Sequence, residues 1–378
     1  MGLVALALYV HWPWCVHKCP YCDFNSRGGL FRIDESRYIA ALLADLSQVA
    51  HTVSRPVTSV FFGGGTPSLM TSEGFDALMR GIGERVDLAH DAEITLEANP
   101  GTVTEEKLAA FARSGVTRLS LGVQSFNAES LSFLGRIHTA CQAREAVTWA
   151  KNTFAHVNID MMYALAGQTL ADLRADAEEA VSFNTDHLSY YELTIEPGSV
   201  FFKRPPENLP DADTAGDMAE CIQTIMRKAG FDHYEVSAYA KAGSRCRHNM
   251  TYWTYGDYLA IGAGAHAKIT TPDGAVFHEV RAKSPVRYMT DVENGTFVQR
   301  RRRVRSEEIP FEFMLNVLRL REGVAKERWE EATGLPYALI APKVASLQRE
   351  GLMEKTDRLA ATALGRRFLN TLQERFLP

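Results

Sequence analysis

The sequence predicts an α/β fold: a partial barrel of about six parallel βα units, followed by a small, mostly helical, winged-helix-like C-terminal domain. Three observations predict it. Short β-rich runs alternate with helix-patterned stretches as far as Leu193, which is the signature of parallel βα units. Polar or glycine-rich groups close each expected strand, and in barrels the chemistry gathers on that face. After Arg300 the texture changes to a basic run and short helices. Six units fall short of the eight of a closed barrel, so the barrel is expected to be open. A doubly wound sheet with helices on both faces is the alternative.

The strands are expected at Ala5–Trp12, Val57–Phe62, Glu93–Glu97, Arg118–Val123, Val157–Met162 and His187–Leu193. Their C-terminal ends carry His11, Gly63–Thr66, Glu97, Gln124, Asp160 and Glu192. Between them, Glu35–Val49 places Tyr38, Ile39, Leu42, Leu43 and Leu46 at helical spacing. Thr102 with Glu105 resembles a capping box ahead of a helix at Glu106–Arg113, and Thr169–Phe183 is amphipathic. The barrel is assigned residues 1–235 and a connecting segment residues 236–305. That segment ends in the basic run Arg300–Arg303 and Arg305, read as a solvated linker. Residues 306–378 form the C-terminal domain, with helices at Pro310–Leu320, Lys326–Thr333 and Leu339–Glu350, a small wing at Gly351–Ala360 and a last helix at Ala363–Phe376.

Composition excludes several classes. The chain is 46% hydrophobic and 23% charged, as soluble globular proteins are. Its formal net charge of −5 supplies no global attraction to nucleic acid, and none is expected as a partner. From Ser306 onward basic and acidic residues balance, which argues for an appendage packed on the barrel rather than a DNA reader. No window is apolar for the ~18 residues a membrane span needs. Met1–Val10 is apolar but short and has no basic residue ahead of it, and Gly2 followed by Leu6 fails the myristoylation pattern. A cytoplasmic protein is expected. No heptad pattern demands a homodimer; that question and transient membrane association stay open.

Three of the six cysteines crowd into Cys15-Val16-His17-Lys18-Cys19-Pro20-Tyr21-Cys22, just after the first strand. Clustered cysteines in a long chain without a signal read as metal ligands rather than a disulfide framework. Three thiolates can hold three corners of a 4Fe-4S cluster, which normally takes four. Asp23, Phe24, Asn25 and Ser26 follow, leaving one iron open to chelate a small molecule. A zinc site completed by His11 or His17 is the competing reading. Gly63-Gly64-Gly65-Thr66-Pro67 is a loop whose backbone N–H groups can approach a ligand. Glu97, Gln124 and Asp160 add polar groups on the same face, and Arg136 offers a partner for a carboxylate.

Cys-x-x-x-Cys-x-Tyr-Cys after a first strand resembles the signature of the radical S-adenosylmethionine superfamily, whose common fold is a partial (β/α)₆ barrel. The resemblance implies a 4Fe-4S cluster on Cys15, Cys19 and Cys22, and S-adenosylmethionine as cosubstrate. Nearly the whole chain is similar to the coproporphyrinogen dehydrogenase-like branch. There, Tyr9, Tyr21, Gly64, Gly65, Thr66, Glu97, Gln124, Arg136 and Asp160 would contact the cosubstrate. One departure is Ala164-Leu165-Ala166-Gly167-Gln168-Thr169, where the branch often reads Gly-Leu-Pro-Gly-Gln-Thr; this puts the rigidity of that loop in doubt.

Two sub-branches separate on particular residues. The oxygen-independent coproporphyrinogen III dehydrogenases carry a fourth cysteine where this chain has Phe24, and an extension ahead of the first strand. Cys22-Asp23-Phe24-Asn25-Ser26 and His248-Asn249-Met250-Thr251-Tyr252-Trp253 instead resemble the haem-chaperone sub-branch. That resemblance implies haem as ligand, haem-accepting proteins such as respiratory enzymes as partners, and no dehydrogenase activity. It makes His248 a candidate axial ligand of the haem iron. Cys246 is a lesser candidate, read rather as a buried free thiol. The dehydrogenase, a different radical enzyme and a zinc-stabilised binding module are the alternatives.

Overall fold

The computed structural model describes residues 5–29, 33–51 and 55–378; the expectations placed on Met1 and Gly2 lie outside them. Six strands match the expected units: β1 (Leu6–Trp12), β2 (Val57–Gly64), β3 (Leu88–Ala98), β4 (Arg118–Gln124), β5 (His156–Tyr163) and β6 (His187–Glu192). They pair in parallel in chain order, without reversal. A doubly wound sheet reverses its strand order partway, so the unbroken order selects the partial barrel. β1 is buried along nearly its whole length, as strands covered on both faces are.

Helices cross between the strands: α1 (Glu35–Ala50), α2 (Ser72–Gly83), α3 (Glu105–Arg113), α4 (Ala140–Thr153), α5 (Leu170–Ser182) and, after β6, α6 (Ala212–Lys228). Their apolar faces pack on the sheet through rings such as Phe62, Phe75 and Phe111, whose successive centroids are 4.9 and 5.1 Å apart. The cap of α3 differs from expectation. Thr104, not Thr102, accepts the Lys107 N–H, because Pro100–Thr102 form a 3₁₀ turn instead.

The stretch expected as a connector builds sheet. After the short antiparallel strands β7 (Asp232–His233) and β8 (Ala238–Ala240) come α7 (Arg247–Trp253) and β9 (Asp257–Ile261). β9 returns to pair in parallel with the free side of β1. β10 (His266–Thr270), β11 (Val276–Val280) and, after α8 (Pro285–Glu293), β12 (Arg300–Arg303) then extend the sheet antiparallel to twelve strands. The basic run is therefore an edge strand and not a linker. Arg302 pairs with Glu308 and Glu312, while the Arg301 guanidinium lies 4.2 Å from the Phe277 ring centroid. Charged residues on an edge discourage further strand pairing.

The C-terminal domain packs α9 (Ile309–Val317), α10 (Glu327–Thr333) and α11 (Ala341–Arg349) around Phe313, Trp329 and Leu347. Val324–Ala325 pairs with Arg358–Leu359, so a small wing forms. The expected last helix breaks at Phe368 into Ala363–Arg367 and Leu369–Glu374.

Candidate cofactor site

The loop from Pro13 to Gly29 leaves β1 and carries the three cysteines. It is closed by a two-residue parallel pairing of Trp14–Cys15 with Arg27–Gly28 and by a turn from the Cys22 N–H to the Cys19 carbonyl at 3.1 Å. The glycine loop after β2 fastens to it. Gly65 and Thr66 donate their N–H groups to the carbonyls of Trp12 and Trp14, at 2.6 and 2.8 Å, and Gly64 donates to Glu97 Oε2 at 3.2 Å. A Cβ on Gly65 would sit 2.6 Å from the Trp14 carbonyl oxygen. These glycines thus permit two backbone segments to touch, and the N–H groups expected to face a ligand donate within the chain.

A cavity of about 400 Å³ opens at the C-terminal ends of the strands. It brings together Cys15, Cys19, Tyr21, Cys22, Gly64, Gly65, Thr66, Glu97, Gln124, Arg136 and Asp160. Arg136 donates to the Gly122 carbonyl, to Tyr21 Oη at 3.3 Å and to Cys19 Sγ at 3.5 Å. Burial, with Asp160 nearby, lifts the Glu97 carboxyl to about 8, against a small opposing effect of the Gly64 N–H. Asp160 is also raised by burial, although it accepts from Ser120 Oγ and Asn158 Nδ2, each at 2.8 Å. Gln124 holds a left-handed backbone with φ of 73°, a costly conformation for a residue other than glycine.

Ser120, Asn158 and Ser189 also line this cavity. A signal for them was present: Asn158 lies two residues before Asp160 on β5, and alternate residues of a strand share a face. Arg118 was likewise not anticipated. It forms a buried pair with Glu93 at 2.9 Å, and Glu93 also accepts the His248 N–H at the start of α7.

Tyr9 and His248 do not line this cavity, although the second cavity that Tyr9 borders is also lined by Gly64 and Glu97. Tyr9 hydrogen-bonds His11 Nδ1 at 3.1 Å. His248 is 1% exposed, with Nδ1 at 3.1 Å from Ser59 Oγ and Nε2 at 2.7 Å from Tyr252 Oη. Burial lowers its pKa to about 3, so the ring is neutral. With both nitrogens engaged in this way, the ring braces α7 against β2. Cys246 is buried, as expected of a free thiol, and donates to Glu93.

The donor set fits a polynuclear cluster with a polar cosubstrate. The thiols of Cys15, Cys19 and Cys22 line one cavity with polar groups of the strand ends. His11, one partner in the zinc reading, has both nitrogens engaged, by Tyr9 and by the Asn25 carbonyl. Three buried atoms on the cavity wall, Thr95 Oγ1, Arg118 Nη1 and Arg136 Nε, lack a hydrogen-bond partner among the described residues. Buried polar groups are rarely left unpaired, and these await a ligand's polar atoms.

Fold and site together define a radical S-adenosylmethionine protein. Residues 9–180 match the model of the radical SAM superfamily, and residues 304–368 match that of the HemN C-terminal domain. A protein of Haemophilus influenzae named heme chaperone HemW is 42% identical, over 99% of this chain and 98% of the relative. Another of the same name from Escherichia coli is also 42% identical, over 99% of each. The mitochondrial radical S-adenosyl methionine domain-containing protein 1 of Bos taurus is 35% identical, over 93% of this chain and 82% of its own. The solved structure of coproporphyrinogen III oxidase (HemN) from Escherichia coli superposes with a TM-score of 0.83, at 22% identity, covering 100% of this chain and 91% of that one. The latter likeness speaks to fold alone. The chain belongs to the radical SAM superfamily and, within it, to the family of proteins named heme chaperone HemW.

Proposed function

We propose that this protein is a haem chaperone: it binds haem and passes it to acceptor proteins, respiratory enzymes among them, while carrying a 4Fe-4S cluster and S-adenosylmethionine. The observation that carries this reading is the likeness to the proteins named heme chaperone HemW over 99% of the chain. Phe24, 56% exposed, stands where the dehydrogenases carry a cysteine, and it lines the cluster cavity.

Cys15, Cys19 and Cys22 would hold the cluster, and with no fourth cysteine after them an iron would be left for the cosubstrate to bind. When bound, such a cluster supplies one electron at a time to the sulfonium. The chain's own residues orient and shield. Glu97 and Asp160 accept hydrogen bonds from ammonium or ribose groups, and Arg136 adds a fixed positive charge beside Cys19. Gln124 and Thr66 complete the polar wall, and Tyr21 closes it beside Arg136. No helix among the described residues is long and apolar enough to cross a membrane; we place the protein in the cytoplasm.

Two assays test the reading. Hemin titration of the purified, cluster-reconstituted chain is expected to give a saturable Soret shift. Anaerobic incubation with coproporphyrinogen III is expected to leave the substrate unchanged; turnover would establish the dehydrogenase instead. Stoichiometric zinc without iron and sulfide would replace both with the binding-module reading.

A further inference from the structure

The cluster cavity reaches far deeper into the barrel than its cysteine mouth. Arg118 opens β4 and Gln124 closes it, ~20 Å apart along the strand, and both line the cavity. Closed barrels of βα units pack their interiors with branched apolar side chains. Here inward positions at the deep end are polar and buried: Thr95 is 1% exposed, Arg118 2% and His187 2%. Of the three unpaired atoms on the cavity wall, Arg136 Nε belongs to the mouth beside Cys19, whereas Thr95 Oγ1 and Arg118 Nη1 belong to the deep end.

One wall of the deep end is closed on itself. Asn158 Nδ2 donates to Ser120 Oγ and to Asp160 Oδ1, both at 2.8 Å. Its Oδ1 accepts from Ser189 Oγ at 3.1 Å and lies 2.7 Å from His187 Nδ1. His187 Nε2 is in turn 2.9 Å from Tyr234 Oη. The polar atoms of the Asn158 and His187 side chains are thus all engaged.

The opposite wall is incomplete. Thr95 and Arg118 pair across β3 and β4, so their side chains share the inner face. Arg118 donates from Nε to Glu93 Oε2 and from Nη2 to the Ser244 carbonyl, each at 2.9 Å. The other Glu93 oxygen accepts from the Cys246 thiol and the His248 N–H, at 3.5 and 3.1 Å. That leaves Arg118 Nη1 and Thr95 Oγ1 as two neighbouring groups able to donate. Two such donors suit the planar oxygen acceptor of an acyl group. Glu93 already balances the Arg118 charge, which disfavours a multiply charged anion such as phosphate in so buried a place.

We propose that the deep end of the cluster cavity is a second ligand site, which takes a small acyl group, a carboxylate or a carboxamide, on Arg118 Nη1 and Thr95 Oγ1. The site lies toward the opposite end of the strands from the thiols, and faces the place of S-adenosylmethionine down the barrel. Its occupant binds along with the cosubstrate and not in its stead. The site goes beyond the chaperone reading and does not depend on it.

The test is titration of the full, cluster-reconstituted chain with acetate and, separately, with acetamide, read by saturation-transfer NMR of the probe's methyl group. Each titration is run without and with saturating S-adenosylmethionine. Saturable binding of at least one probe is expected, retained in the presence of the cosubstrate and weakened at least fivefold in Thr95→Val. Binding of acetate alone identifies a carboxylate site, and binding of acetamide alone a neutral acyl site. Thr95→Val keeps the branched shape and removes a hydroxyl that has no partner among the described residues, so the variant is expected to fold; thermal unfolding checks this. Thr95→Ser keeps the hydroxyl and is expected to bind as the wild type does. No saturable binding of either probe, or equal binding by wild type and Thr95→Val, overturns the site and leaves the two atoms to water. Displacement of the probe by S-adenosylmethionine also overturns it, because the probe would then occupy the cosubstrate's own place.

Discussion

Arg136 Nη1 lies 3.5 Å from the Sγ of Cys19, with the Tyr21 hydroxyl at 3.3 Å from the same nitrogen. A fixed guanidinium thus sits beside one of the three thiols on which the cluster would be built. Its remaining Nε is buried and has no hydrogen-bond partner among the described residues. One side chain therefore links the cysteine loop, the β4 backbone and the open part of the cavity.

Groups that orient metal ligands from outside typically matter ~10–100-fold for metal affinity. Arg136→Ala is expected to lower iron retention during anaerobic gel filtration by about that factor and to shift the cluster's reduction potential. Arg136→Lys keeps the charge but loses the three-way contact, and is expected to fall between the two. Iron and sulfide content, with potentiometry, checks both.

Glu97 makes ligand binding depend on pH. Its carboxyl is raised from 4.5 to about 8, so in the empty site it carries a proton at neutral pH. A cationic ligand needs the ionised form and must displace that proton. Affinity for S-adenosylmethionine is then expected to rise with pH, by up to ~tenfold per unit, and to level off near 8. The sign for stability is opposite: the folded chain holds a proton that the unfolded chain has lost, so Glu97 destabilises the fold progressively between 4.5 and about 8. Calorimetric titration from pH 6 upward reads the first effect, and Glu97→Gln is expected to flatten it.

His248 is expected to behave as a structural residue. His248→Ala removes two buried hydrogen bonds and leaves Ser59 Oγ and Tyr252 Oη without their partner, at a cost of about 2–4 kcal/mol. Chemical denaturation should show this loss.

The loop Ala164–Thr169 supplies a prediction of opposite sign. Ala164 adopts φ of 58°, where a side chain is strained and glycine is not. The loop is ordered all the same, with the Gly167 N–H on the Asn208 carbonyl at 2.9 Å and the Gln168 side chain accepting from Leu165 at 3.2 Å. Ala164→Gly is expected to stabilise the chain by about 1 kcal/mol in thermal or urea unfolding.

The cluster cavity was largely legible in the amino-acid sequence, because its residues belong to short motifs at strand ends and because strands announce themselves by period. Cys15 to Cys22 form one loop, and Glu97 and Asp160 each end a β-rich run. The second cavity was not legible. It exists only because β9 pairs with β1, far away in the chain, and carries β10 and His266 to the rim beside Asn25. The edge strand Arg300–Arg303 was hidden for a related reason. Four arginines read as solvated until Glu279, Glu308 and Glu312 are seen to neutralise part of their charge. The capping shift from Thr102 to Thr104 is a matter of the intervening 3₁₀ turn, which Pro100 initiates.

The central claim is that the chain carries haem to another protein. The most direct measurement mixes haem-loaded, cluster-reconstituted protein with an apo-haemoprotein under anaerobic conditions and follows both Soret bands. The account predicts that the acceptor's spectrum grows as the donor's declines, faster than free hemin loads the same acceptor at equal free concentration. Haem that never leaves the chain, or anaerobic consumption of coproporphyrinogen III by the same preparation, would contradict it.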